Sequence, residues 1–237
     1  MDILNQINNY VEVFMENVED QRLTEMQTPI MAAIESSNAA SLITALSELK
    51  PQIAHLEQEL RTRNLEIASR NGKIAANDNE FDRMAQERGI SRGELLVNLG
   101  NDINAITRKK ELTDNAVTAL KSWTRIMDHS VESKVGSMSD EEKQQLYSDL
   151  TNIMRQNESS IDLLGHEIAH RELQTDEEIQ ATATRSGKTF DEVKYGLELE
   201  VMQRNLRIAR LEEQNNVISG YKTPLIQTVA VEVHRPR

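Results

Sequence analysis

His166, Glu167 and His170 are the side chains of this sequence whose types and spacing could do chemistry. Four residues apart on a helix, the two imidazoles lie one turn apart on the same face and can bind one zinc ion. The glutamate beside the first can then take a proton from a metal-bound water, so the trio fits metal-assisted hydrolysis. A catalytic zinc takes three protein ligands, and this helix supplies two. With no cysteine in the chain, no thiolate can complete the set.

Residues 163–170, LLGHEIAH, resemble the active-site helix of the heat-shock and prenyl-protein zinc peptidases. The resemblance implies a zinc-dependent metallopeptidase with His166 and His170 as ligands and Glu167 as the base. Those enzymes draw their third ligand from a downstream E-x-x-A-D string, and none follows His170. Arg171 and Glu172 stand where such helices are usually uncharged. The helical period also turns both histidines away from the apolar stripe of Leu164 and Ile168, toward solvent. The expectation is therefore a surface or seam histidine pair, with no metal, no cofactor and no catalytic residue. The metallopeptidase is the alternative.

No other catalytic set stands out. His55, His129 and His234 are isolated, and Arg185-Ser186-Gly187-Lys188-Thr189 has the tail of a phosphate-binding loop without its earlier glycine. A formal charge of −12 disfavours a nucleic-acid partner, and the short basic cluster Arg108-Lys109-Lys110 does not change that balance. The absence of cysteine fits a reducing compartment. The N-terminus carries an acid where an export signal would carry a base, and no 18-residue apolar run appears. These features predict a cytoplasmic protein, or one carried on a phage particle, with no membrane association.

The histidines must be positioned by helices. Aromatics are 3% and apolar residues 38% of the chain, against 28% charged, a mixture suited to long solvated helices with narrow apolar seams. The stretch at residues 77–95, NDNEFDRMAQERGISRGEL, returns at residues 175–193 as TDEEIQATATRSGKTFDEV. Aligned without gaps, Asp78, Glu80, Ala85, Gly89 and Glu94 meet Asp176, Glu178, Ala183, Gly187 and Glu192. Each copy reads as N-cap, short helix, glycine stop, second capping box and long helix. An internal duplication accounts for the recurrence.

Heptad spacing supplies the long arms. Leu42, Leu46, Leu49, Ile53, Leu56 and Leu60 form one seam, with Arg63 and Arg70 also on it, so the seam must open there or meet acids from another helix. Pro51 predicts a kink or a new helix start near Lys50. The returning arm aligns Leu96, Leu99, Ile103, Ile106, Val117, Leu120, Met127 and Val131, with Trp123 as a core anchor near its far end. Ser139 with Glu142 caps the next arm, and the last arm carries two stripes. One includes Val193, Leu197 and Val201, the other Tyr195, Leu199, Met202 and Leu206. A helix apolar on two sides sits between neighbours.

Ahead of the hairpins, Ile3, Ile7, Tyr10, Phe14 and Val18 mark an amphipathic helix, and Thr28-Pro29 reads as the start of a short one. At the other end Val229, Val231 and Val233 alternate with polar residues, which predicts an extended tail able to add a strand to a partner. The expected organisation is all-α: an N-terminal helix at residues 1–36, coiled-coil hairpins at 37–135 and 136–222, and a tail at 223–237. The function expected is a structural or adaptor protein that assembles with itself or a larger complex. Its interaction residues would be the Leu42–Leu60 seam, Leu199, Met202, Leu206 and the three tail valines.

Overall fold

The computed structural model describes the backbone of residues 3–7, 9 and 20–232, and their side chains except at 20–27 and 226–232. The fold is all-α, with no strand among the described residues. In chain order, α1 spans Asp20–Ser36, α2 Ala39–Ile74, α3 Asp78–Glu87, α4 Arg92–Ser137, α5 Asp140–Glu172, α6 Asp176–Ser186 and α7 Phe190–Glu232. Two compact units divide the chain: Met1–Ser37 with Gln52–His129, and Asn38–Pro51 with Ser130–Arg237.

In the first unit α2 and α4 run antiparallel. Moving along α2 from Glu57 to Arg63 to Arg70, the partners on α4 move backwards from Lys121 to Thr113 to Asp102. The two arginines predicted on the seam are both accommodated. Arg70 Nε lies 3.4 Å from Asp102 Oδ2, while Arg63 donates to the Lys109 carbonyl and the buried Thr113 hydroxyl of α4 and to Glu59 on its own helix. A seam that takes in charged groups only with partners avoids leaving them desolvated and unpaired.

The turn of this hairpin is α3. Asn77 accepts the backbone N–H of Glu80, and Gly89 ends the helix at φ +65°, a left-handed conformation that costs glycine nothing. Ser91 and Glu94 then exchange hydrogen bonds as the capping box of α4. Phe81, Ala85, Leu95 and Leu99 form a small core beneath the turn, with Ile74, Met84 and Ile90 against it. Leu95, not Leu96, is thus the first buried residue of α4; Leu96 is half exposed because the turn of α3 captures its neighbour. Trp123 and Met127 are buried farther along.

The second unit repeats the antiparallel arrangement between α5 and α7, through Tyr147 with Lys222, Asn157 with Asn215, Glu167 with Arg204 and Arg171 with Glu200. Its turn, α6, is capped reciprocally by Thr175 and Glu178 and ends at Gly187 with φ +68°. Thr189 and Glu192 cap α7, as Ser139 and Glu142 cap α5. The opening turns of α2 also belong here. Leu42, Ile43, Leu46 and Leu49 are buried, and Lys50 donates to the Tyr221 hydroxyl at 2.7 Å.

Three local expectations are corrected. Of the two outcomes expected at Pro51, the new helix start does not occur, since α2 runs through the proline; the cost of about 3 kcal/mol for an interior proline is offset by the burial of Leu42, Leu46, Leu49 and Ile53 on either side. Pro29 likewise lies inside α1, whose start is upstream at Asp20. The tail is not extended through residue 232: α7 continues to Glu232, carrying the backbone of Val229 and Val231 as helix. Adding a residue to a helix already formed is far cheaper than starting a strand without a neighbour, so propagation overrides the valine alternation. Val233 lies outside the described residues, as do Tyr10, Phe14 and Val18, while Ile3 and Ile7 are buried.

Candidate functional site

The last two turns of α5 present His166, Glu167, His170 and Arg171 near the α6 turn. Leu164 is the buried residue that anchors this stretch, and the period of the helix places Glu167 and Arg171 beside the α7 contact. The two imidazoles lie on the exposed side.

Across from them α7 supplies Glu200 and Arg204. Arg204 Nε donates to Glu167 Oε2 at 2.7 Å, and Arg171 Nε donates to Glu200 Oε2 at 2.7 Å. Arg204 also reaches Glu200 at 3.4 Å, and a second Arg171 nitrogen donates to the Glu167 carbonyl at 3.0 Å. Four charges of alternating sign therefore join the two helices. The Arg204 hydrogen bond holds the Glu167 carboxyl below its ordinary range, against an opposing push from desolvation. Arg171 does the same for Glu200.

This geometry bears on what Glu167 can do. A general base works best with a proton affinity matched to its task and an unoccupied lone pair facing the substrate. Here one carboxylate oxygen is taken by a guanidinium and the proton affinity is reduced. Among the described residues, no three His, Asp or Glu side chains are gathered where they could hold one metal ion. A shallow groove of about 430 Å³ beside His170 is lined by Leu173, Gln174, Glu178, Ala181, Thr182 and Arg185. Its one carboxylate, Glu178, serves the α6 capping box.

The residues expected to meet partners divide into two groups on α2 and α7, while the side chains of Val229, Val231 and Val233 lie outside the described residues. Leu42, Leu46, Leu49 and Ile53 are buried, and Leu56 and Leu60 are half-buried, so their apolar surface is largely taken up inside the chain. Leu199, Met202 and Leu206 are exposed, in line with exposed Tyr195. Sequence reasoning missed the lattice of Glu167, Arg171, Glu200 and Arg204. Its signal was present as two opposite-charge i,i+4 pairs, one on each arm of a predicted antiparallel hairpin.

No helix among the described residues is long and apolar enough to cross a membrane. Set against family models, curated proteins and solved structures, the chain matches none.

Proposed function

We propose that this chain is a non-enzymatic structural or adaptor protein whose paired helices act as rods within an assembly made with itself or with other proteins. The observation that supports this most is the use of Glu167. The one side chain whose motif suits it to catalysis is spent on holding α5 to α7 through Arg204. The long arms are read as heptad-based antiparallel coiled coils, and the two hairpins as products of one duplication. The shared order of cap, short helix, positive-φ glycine, cap and long helix supports that origin. Such a protein needs no cofactor, and its charge of −12 makes other proteins better partners than nucleic acid. A reducing cytoplasm, or a phage particle assembled there, suits a chain without cysteine.

The competing reading, a zinc metallopeptidase, keeps one observation in its favour: His166 and His170 are exposed one turn apart. It requires a third ligand from a partner or substrate and release of Glu167 from Arg204.

Light scattering over a concentration series tests the assembly reading. The expected result is a molar mass that rises above the 26.9 kDa of one chain as concentration increases. A mass fixed at one chain up to tens of micromolar, together with one tightly held zinc per chain that His166→Ala removes, would favour the peptidase instead.

A further inference from the structure

The outer side of α7 carries Tyr195, Leu199, Met202 and Leu206 with exposures of 68, 37, 51 and 64%. The side that meets α5 holds half-buried Val193, Leu197, Val201, Arg204 and Ile208. At 100° per residue the two rows are centred roughly 170° apart, so the outer row points away from the α5–α7 contact.

The fold does not call for apolar residues there. Counted from their N-caps, Ser91 and Thr189, the corresponding places on α4 are Val97, Asn101, Asn104 and Arg108, all exposed. One long arm thus presents amides and a guanidinium where the other presents two leucines and a methionine.

The charges flanking the row say what covers it. Toward its N-terminal end lie Asp191, Glu192 and Glu198, with Lys194 the only base between residues 190 and 199; toward the other end come Arg207 and Arg210, and beyond them Glu212 and Glu213. Two such rows laid parallel gather acid against acid and base against base. Laid antiparallel, they bring Asp191 and Glu192 of each against Arg207 and Arg210 of the other. About a two-fold axis between Leu199 and Met202, Tyr195 faces Leu206, Leu199 faces Met202, and Glu192 and Arg210 fall on the same flank. By symmetry each of these pairs occurs twice.

We propose that the outer face of α7 is a self-complementary interface that binds the same face of a second copy of this chain, antiparallel and two-fold symmetric. This rests on the assembly reading above and deepens it, naming the partner and the surface.

Because the chain has no cysteine, single-cysteine variants report the arrangement directly. The triple variant Leu199→Asn, Met202→Asn, Leu206→Arg, which copies the α4 residues, is expected to keep the wild-type circular dichroism spectrum while self-association weakens by at least about tenfold. Should that variant lose its fold, Leu206→Gln alone is the milder probe of the same face. Mild oxidation of an equimolar mixture of full-length Tyr195→Cys and Leu206→Cys is expected to yield mainly 195–206′ links, since the antiparallel pairing sets 195 and 195′ about 16 Å apart along the helix. A dimer that survives these surface changes would overturn this interface while leaving the assembly reading intact. Predominant 195–195′ links would overturn the antiparallel pairing. A wild-type chain monomeric at every concentration would overturn both.

Discussion

Arg204 donates from α7 to the Glu167 carboxylate of α5 across 2.7 Å, while Glu200, one turn before Arg204, accepts from Arg171, one turn after Glu167. The two helices exchange charges reciprocally, so neither can slide by a turn without separating both pairs. An isolated surface ion pair contributes little, but one set in a network with side chains already ordered loses less entropy on forming. The first unit has its own version in Arg70 with Asp102, again an arginine of the incoming arm meeting an acid of the outgoing one.

Acid is expected to weaken this lattice. Glu167 and Glu200 both titrate below their ordinary value of 4.5 when folded. The unfolded chain then takes up protons more readily than the folded one, so the lattice contributes fully above about pH 4.5 and its contribution is lost as pH falls below that. Melting curves followed by circular dichroism should show a smaller acid-induced drop for Glu167→Gln, Glu200→Gln than for the wild type. Equal drops would remove the lattice from the account of acid sensitivity.

The two glycines with positive φ should behave oppositely to those inside helices. Gly187→Ala forces a side chain into the left-handed region and is expected to destabilise by about 1 kcal/mol. Gly196 lies within α7 with open space around it, so Gly196→Ala is expected to stabilise by roughly 0.5–1 kcal/mol. Urea unfolding of the two variants beside the wild type checks the sign of each.

Burial should separate core leucines from surface ones. Leu150 is fully buried in α5, and Leu150→Ala is expected to cost about 2–5 kcal/mol. Leu65, 72% exposed on α2, should change stability by less than about 0.5 kcal/mol when replaced by alanine. A comparable loss from both would mean that Leu65 is covered in solution.

Capping offers a local test. Ser139 and Glu142 satisfy each other's backbone amides at the start of α5, and Ser139→Ala is expected to cost about 1 kcal/mol, while Ser139→Asp retains most of the stability. Equal losses from the two substitutions would contradict the capping role.

What was legible in the sequence follows the range of the forces involved. Caps and glycine stops are decided within four or five residues, so Asn77, Thr175, Gly89 and Gly187 could be placed by inspection. The buried row of Leu42, Leu46, Leu49 and Ile53 was equally plain, because a heptad spacing has few other uses. Outcomes set by competition were not legible. Pro51 and Pro29 signal breaks locally, yet apolar burial around Pro51 carries the helix through it. The alternating valines at 229 and 231 state a strand period that propagation of α7 overrides. Leu95 displaced Leu96 from the seam because α3 folds back over it, a contact between elements that no spacing rule contains.

The HEIAH stretch shows the same limit at the candidate site. Its spacing put two imidazoles on one face, and both are exposed. Nothing local revealed that Arg204, far along the chain, would occupy the glutamate between them.

The most direct test of that assignment is the unfolding midpoint of the full chain as zinc is titrated, for wild type, His166→Ala and Glu167→Gln. A ligand held only by the folded state raises its stability in proportion to occupancy. If Glu167 serves the helix contact, Glu167→Gln melts below the wild type and zinc moves no midpoint. A midpoint that climbs with zinc in the wild type, and no longer does so in His166→Ala, would contradict the account.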